Sequence, residues 1–242
     1  MALKHRVQRI VNSFGYRIER LYAADFSAET VEVIRRVKPH TKTSAEAIDA
    51  LCSATKHIAR TGTPGAIVEC GVWKGGSMLA AALTLAGEGD TERDLYLYDT
   101  FAAEMPPATD ADVRILDGLE GSNPVAIELA GQPTADRARA LVATSGYPVE
   151  RIHVVQGLVE ETIPLQTPET IALLRLDTDW YESTLHELQE LYPRLSRGGI
   201  LIVDDYGHWA GARRAVDEYF ARLQAAPYLA RVDYTVRLGV KP

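Results

Sequence analysis

The 242-residue sequence is poor in the features that mark several classes of protein. It holds two cysteines, Cys52 and Cys70, too few for a disulfide framework and without the spacing of a metal site. Cys70 sits in an apolar run and reads as a small core residue. No run of Lys and Arg interrupts a net charge of −7, so a phosphate-backbone partner has no electrostatic footprint and no nucleic acid is expected. No apolar stretch is long enough for a signal peptide or an integral membrane segment, and a cytoplasmic location is the plain expectation. The basic opening, MALKHRVQRIVNSFGYRIERLY, could lie on a membrane surface as an amphipathic helix. Packing onto the main domain or a partner subunit is the preferred expectation, and with it a homo-oligomer. No internal repeat, low-complexity tract or clear interdomain linker is visible.

What is present is an ordinary globular composition, 46% hydrophobic and 24% charged, able to bury a core. Residues 1–42 read as a helical extension and residues 43–242 as one domain. Thr43 and Glu46 have the spacing of a capping box, and the helix behind them runs toward Gly62. The period then changes. Short apolar runs at Ala66–Cys70, Leu95–Asp99, Ile152–Val155, Ile171–Leu176 and Ile200–Val203 read as buried strands. Between them lie helical patterns, including Ala135–Ala143, one carrying Leu185, Leu188, Leu191 and Leu195 that stops at Gly198-Gly199, and Ala212–Leu223. The tail around Arg231–Val240 alternates like one or two closing strands. Residues 101–132, rich in Ala, Pro, Asp and Gly, read as a lid or binding loop. Strands alternating with helices predict an α/β fold whose mostly parallel sheet carries helices on both faces. Ligands in such sheets bind beyond the carboxyl ends of the strands.

Glu69-Cys70-Gly71-Val72-Trp73-Lys74-Gly75-Gly76-Ser77 follows the first buried strand and opens a helix. Glycines there let the backbone turn sharply and approach a ligand, while the helix start offers free N–H groups. Three residues separate Gly71 from Gly75, unlike the dinucleotide fingerprint. Asp99 ends the next strand where a ribose-binding acid belongs. With Glu69 before the turn, these features point to an adenosyl cofactor rather than a dinucleotide.

Further on come Asp177-Thr178-Asp179 and, one strand later, Asp204-Asp205. Neighbouring strand ends lie about 5 Å apart, so these carboxylates should converge. Like charges that close repel unless protonated or neutralised by a cation. Oxygen donors without His or Cys favour Mg²⁺, with Mn²⁺ or Ca²⁺ possible. Such a cation could lower the pKa of a substrate hydroxyl so that a nearby carboxylate removes its proton. His208, just past the pair, is a second candidate base. Arg213 and Arg214 are expected to pair with the acidic surface.

The segments IVECGVWKGGS, LYDTF, LLRLDTDWYEST and GGILIVDDYGHWAGARRAVDEYF together resemble the macrocin O-methyltransferase family, over roughly residues 40 to 242. That family includes enzymes that methylate deoxysugar hydroxyls of macrolide and aminocoumarin antibiotics. The resemblance implies a Rossmann-like class I methyltransferase fold with a seven-stranded sheet, S-adenosylmethionine as cofactor, Mg²⁺ dependence and a sugar or glycoside acceptor. It implies a cofactor site of Glu69, Gly71, Trp73, Gly75 and Ser77 in the turn, Asp99 and Thr100 at the ribose, Gln156 and Gly157 at the adenine, and Asp177. Asp177, Asp204 and Asp205 match the metal ligands and Asp179 the general base, with Trp180 and Tyr181 beside the acceptor. Two departures stand out: Ala102-Ala103-Glu104 replaces an acid and a glycine, and the N-terminal part is shorter and matches poorly. The alternatives are a catechol-type phenolic O-methyltransferase, a nicotinamide oxidoreductase and a non-catalytic binding protein.

Overall fold

The apolar runs form strands where their length and burial predict them: β1 (Ala66–Cys70), β2 (Leu95–Asp99), β3 (Ile152–Gln156), β4 (Ile171–Leu176) and β5 (Leu195–Val203). The tail adds β6 (Ala230–Arg231) and β7 (Arg237–Val240). These come from a computed structural model that describes residues 7, 22–102, 107–115, 133–163 and 165–242. Most of the basic opening and most of the 101–132 stretch, including Ala103 and Glu104, lie outside the described residues.

The helices are α1 (Ala28–Val37), α2 (Ala45–Thr61), α3 (Gly76–Glu88), α4 (Ala135–Ala143), the short α5 (Val159–Thr162), α6 (Tyr181–Leu191) and α7 (Ala210–Phe220). The sheet order is β3-β2-β1-β4-β5-β7-β6. The first five strands are parallel, and β7 runs antiparallel to both β5 and β6. Helices cover both faces, as expected of buried parallel strands.

Side chains alternate across each strand, and this alternation sorts the core. On one face Ile67, Leu97, Leu173 and Ile202 pack under Ile34 and Val37 of α1, Ile48 and Ile58 of α2 and Leu79 of α3. On the other, Val68, Leu174, Leu176 and Val203 pack against Leu188 and Leu191 of α6 and Phe220 of α7. Stepping by two from the first set reaches Glu69, Asp99, Arg175 with Asp177, and Asp204. The ladder continues past the strand ends, since Asp177 N–H donates to Cys70 O and Asp204 N–H to Leu176 O, both at 2.9 Å. One face of the sheet therefore turns from hydrocarbon to charge at its carboxyl edge.

Two local expectations are corrected. The N-cap of α2 is Ser44, whose hydroxyl accepts from Ala47 N–H at 3.0 Å, and not Thr43. Thr43 is buried and points at the sheet, where it meets Arg175. Gly198-Gly199 does not stop a helix. The α6 helix ends at Leu191, a 3-10 turn at Tyr192–Arg194 follows, and Leu195 already begins β5. The partners of β4 jump from Leu195 to Ile200 between Ile171 and Leu173, so the glycine pair lies in a bulge of β5, with Gly198 at φ +77°. Among the described residues, no helix is long and apolar enough to cross a membrane.

Candidate functional site

The turn after β1 is held by backbone contacts. Gly71 has φ +83°, and a Cβ there would lie 1.9 Å from the Asp177 carbonyl oxygen, so no side chain fits. Gly75, at φ +91°, is the N-cap of α3, which presents its first N–H groups to the turn. Gly76 is tight for a different reason: its Cβ would meet the His40 carbonyl at 2.5 Å, so the segment around His40 packs on this turn. Ser77 is buried behind it, 3.5 Å from the hydroxyls of Thr41 and Thr43.

Asp99 organises two turns at once. One of its carboxylate oxygens accepts from Trp73 N–H and the other from Phe101 N–H, each at 2.6 Å. Both donors are non-glycine residues in the left-handed region, at φ +49°. Such conformations cost energy and persist only where the surroundings hold them. The Trp73 ring is flanked by the ammonium groups of Lys42 at 5.3 Å and Lys74 at 4.6 Å. On β3, Gln156 donates to the Thr100 carbonyl at 3.3 Å, and Gly157 N–H donates to the Asp99 carbonyl at 3.0 Å. Glu69, Gly71, Trp73, Gly75, Ser77, Asp99, Thr100, Gln156 and Gly157 thus gather around the ends of β1, β2 and β3.

Sequence reasoning missed Arg175. It sits in the middle of an apolar strand, directly opposite Glu69 in the register of β1 and β4, and is 2% exposed. Nη1 reaches Glu69 Oε1 at 2.5 Å and Asp177 Oδ2 at 2.7 Å. Nη2 reaches Asp204 Oδ1 at 2.8 Å and donates to Thr43 Oγ1 at 3.0 Å. The guanidinium is the shared counter-ion of three carboxylates. Burial nevertheless pushes Glu69 up to about 7, against the pull of Arg175. Glu69 Oε2 is buried with no hydrogen-bond partner among the described residues. The available signal was a single Arg inside an otherwise continuous apolar run, since a buried charge needs partners.

At the ends of β4 and β5, one carboxylate oxygen from each of Asp177, Asp204 and Asp205 lies within 4.8 Å of the other two. Burial, then repulsion by neighbouring carboxylates, drives Asp205 well above the usual carboxylate range; Asp177 is raised by burial and by Asp204 despite Arg175. Asp205 Oδ2 is buried without a hydrogen-bond partner among the described residues. An all-oxygen triangle with an unpartnered buried oxygen suits a hard divalent cation.

Asp179 stands beside this triangle at φ +68°, another left-handed non-glycine residue just past a strand. Its Oδ1 accepts from Trp209 Nε1 at 2.6 Å. Burial raises its pKa, while hydrogen bonds with Asp205 and Trp209 pull it back. Trp209 meets Trp180 edge-on at 4.9 Å and His208 at 5.0 Å. His208 Nδ1 lies 3.2 Å from the Tyr234 hydroxyl, and Tyr181 donates instead to Glu218 of α7 at 2.7 Å. Arg214 also pairs with Glu218, at 2.7 Å, and Arg213 donates to the Tyr206 carbonyl at 3.0 Å. Residues 107–115 dock along this edge: Ile115 N–H donates to His208 O at 2.9 Å and Ala210 N–H to Val113 O at 2.8 Å. Asp112 closes the contact by accepting from Tyr181 N–H at 2.8 Å.

A parallel sheet closed by one antiparallel strand, with a glycine turn after β1 and acids at the ends of β1 and β2, defines a class I methyltransferase. The solved O-methyltransferase NovP has the same fold, with 24% identity, a TM-score of 0.70 and coverage of 99% of this chain and 98% of that one. Residues 21–238 match the family described as macrocin-O-methyltransferase (TylF), and the chain belongs to that family. It is 32% identical, over 81% of its length and 73% of the relative's, to 8-demethyl-8-(2,3-dimethoxy-alpha-L-rhamnosyl)-tetracenomycin-C 4'-O-methyltransferase of Streptomyces olivaceus. Demethyldecarbamoylnovobiocin O-methyltransferase of Streptomyces niveus is 29% identical over 80% of this chain and 72% of its own. The protein is accordingly an S-adenosylmethionine-dependent O-methyltransferase.

Proposed function

We infer that this O-methyltransferase acts on a hydroxyl of a sugar or glycoside, with Asp179 as general base and a divalent cation between Asp177, Asp204 and Asp205. The observation that carries the reading is the placing of Asp179: a strained backbone and the Trp209 indole hold its carboxylate beside three converging aspartates. The name of the Streptomyces olivaceus relative places its methyl on a rhamnosyl group, which supports a sugar acceptor here.

S-adenosylmethionine supplies the methyl group: the S–CH₃ bond breaks as the acceptor oxygen forms a C–O bond. Glu69, with one oxygen open, and the N–H groups at the start of α3 would take the cofactor's amino-acid end, and Asp99 its ribose. A divalent cation held by Asp177, Asp204 and Asp205 would supply Lewis acidity that lowers the pKa of the acceptor hydroxyl. Asp179, held beside the three aspartates, would accept the hydroxyl proton. Trp180 and Trp209 offer aromatic surface suited to the apolar face of a sugar ring.

The test is turnover with S-adenosylmethionine on a panel of nucleotide-activated sugars, simple glycosides and catechols, with Mg²⁺ and with EDTA. Turnover on a sugar that EDTA abolishes is the expected result. Turnover on catechols alone would overturn the acceptor, and full activity in EDTA would overturn the cation.

A further inference from the structure

We propose that Arg175 is a positioning residue that acts as the site's internal counter-ion, keeping the cofactor end assembled whether or not the cation is bound. The inference rests on the cofactor and cation placements proposed above. One guanidinium touches both Glu69 and Asp177 through Nη1, while Nη2 touches Asp204 and donates to Thr43. Among the described residues the Glu69 carboxylate has no other hydrogen-bond or ion-pair partner, and Arg175 is the cation shared between it and the aspartates. Without that charge, three carboxylates would face one another in a buried space where their repulsion is weakly screened. Mg²⁺ would then have to supply the missing positive charge to Asp177 and Asp204, and cofactor binding would come to depend on it.

Geometry makes the role specific to arginine. The planar fork spreads its N–H groups over four partners: Glu69 on β1, Asp177 and Asp204 just past β4 and β5, and Thr43 two residues before α2. A lysine ammonium is a single point that cannot span them. A cofactor-side acid and a cation-side pair thus share one donor group, and any dependence of cofactor affinity on the cation that appears when Arg175 is lost must be matched by an equal dependence of cation affinity on the cofactor.

The experiment is calorimetric titration of S-adenosylhomocysteine into wild type, Arg175→Lys and Arg175→Met, each in EDTA and in saturating Mg²⁺, with Mg²⁺ titrated separately. In the wild type, the S-adenosylhomocysteine dissociation constant should differ by less than about threefold between the two conditions. In both variants it should rise by roughly tenfold or more in EDTA and be partly restored by Mg²⁺. Should Arg175→Met fail to fold, Arg175→Lys, which keeps the charge and most of the volume, carries the test. A purely structural role would lower the melting temperature and the fraction of molecules that bind, leaving the dissociation constant and its Mg²⁺ dependence as in the wild type. That result overturns the proposal, as does wild-type binding that collapses in EDTA. Absence of Mg²⁺ binding to the wild type would instead overturn the cation reading, and the counter-ion role with it.

Discussion

The two ends of the site are built on opposite principles. At the ends of β1 and β2, Asp99 gives each of its oxygens a backbone N–H, and one open oxygen remains, on Glu69. At the ends of β4 and β5, Asp177 and Asp204 share a single guanidinium and Asp205 Oδ2 has no hydrogen-bond partner among the described residues. Apart from that oxygen, the first end is satisfied by the chain itself. The second carries more negative charge than the chain neutralises. A group already saturated has little to gain from a ligand, whereas a crowded set of carboxylates gains much from a cation. A preorganised turn and a set of unmet charges therefore sit one strand apart on the same sheet edge.

The contrast can be broken from either side. The largest effect is expected from Asp179→Asn, which keeps the Trp209 contact but removes the proposed base: turnover should fall by about 10²–10⁴-fold. S-adenosylhomocysteine affinity should stay near the wild-type value, and a matching loss of affinity would move Asp179 to the cofactor end. Asp99→Ala should do the reverse. Leaving two strained turns without their acceptor should cost on the order of 2–3 kcal/mol of stability and weaken cofactor binding, measured by melting and by titration. Unchanged affinity would mean that the two turns hold without the carboxylate. Asp205→Asn sharpens the comparison, because it removes charge from the crowded end. In EDTA it should raise the melting temperature by about 2–4 °C, and it should erase any rise on adding Mg²⁺. A lower melting point in EDTA would show that the carboxylate is not under repulsive strain.

The smallest effect concerns a buried acid that neither end uses. Glu187 on α6 is fully buried, accepts from the Thr178 hydroxyl at 3.2 Å, and is driven well above its ordinary value by burial. The native state then keeps a proton that the unfolded chain has released, so stability falls as pH rises from the ordinary value of 4.5 toward the native one. Glu187→Gln should flatten that slope and add on the order of 1 kcal/mol at pH 8, with little change at pH 4. Equal slopes in denaturation experiments would place the Glu187 proton elsewhere.

Much of this architecture can be read from the chain. Ala66–Cys70, Leu95–Asp99 and Ile171–Leu176 are strands from end to end because an unbroken apolar run between helical patterns has few other ways to be buried. The aspartates converge because each follows such a run. The partners of Arg175 were not legible, because they depend on register: only pairing places it opposite Glu69. Thr43 and Ser44 are adjacent hydroxyls of which one caps and the other faces the sheet, and local spacing cannot choose between them. The glycines at 198 and 199 carry the composition of a helix stop, but the Tyr192–Arg194 turn had already ended the helix and left them to bend a strand. Cap, counter-ion and bulge are all decided by tertiary neighbours.

The contact between Gly71 and the Asp177 carbonyl has one more consequence. It gears two loops together, so that neither can be reshaped by a directed-evolution campaign without jamming the other. New acceptors are better sought along the rim formed by residues 107–115 and His208-Trp209, which meets the site through the Asp179 carboxylate, the Tyr181 amide and the Asp205 carbonyl.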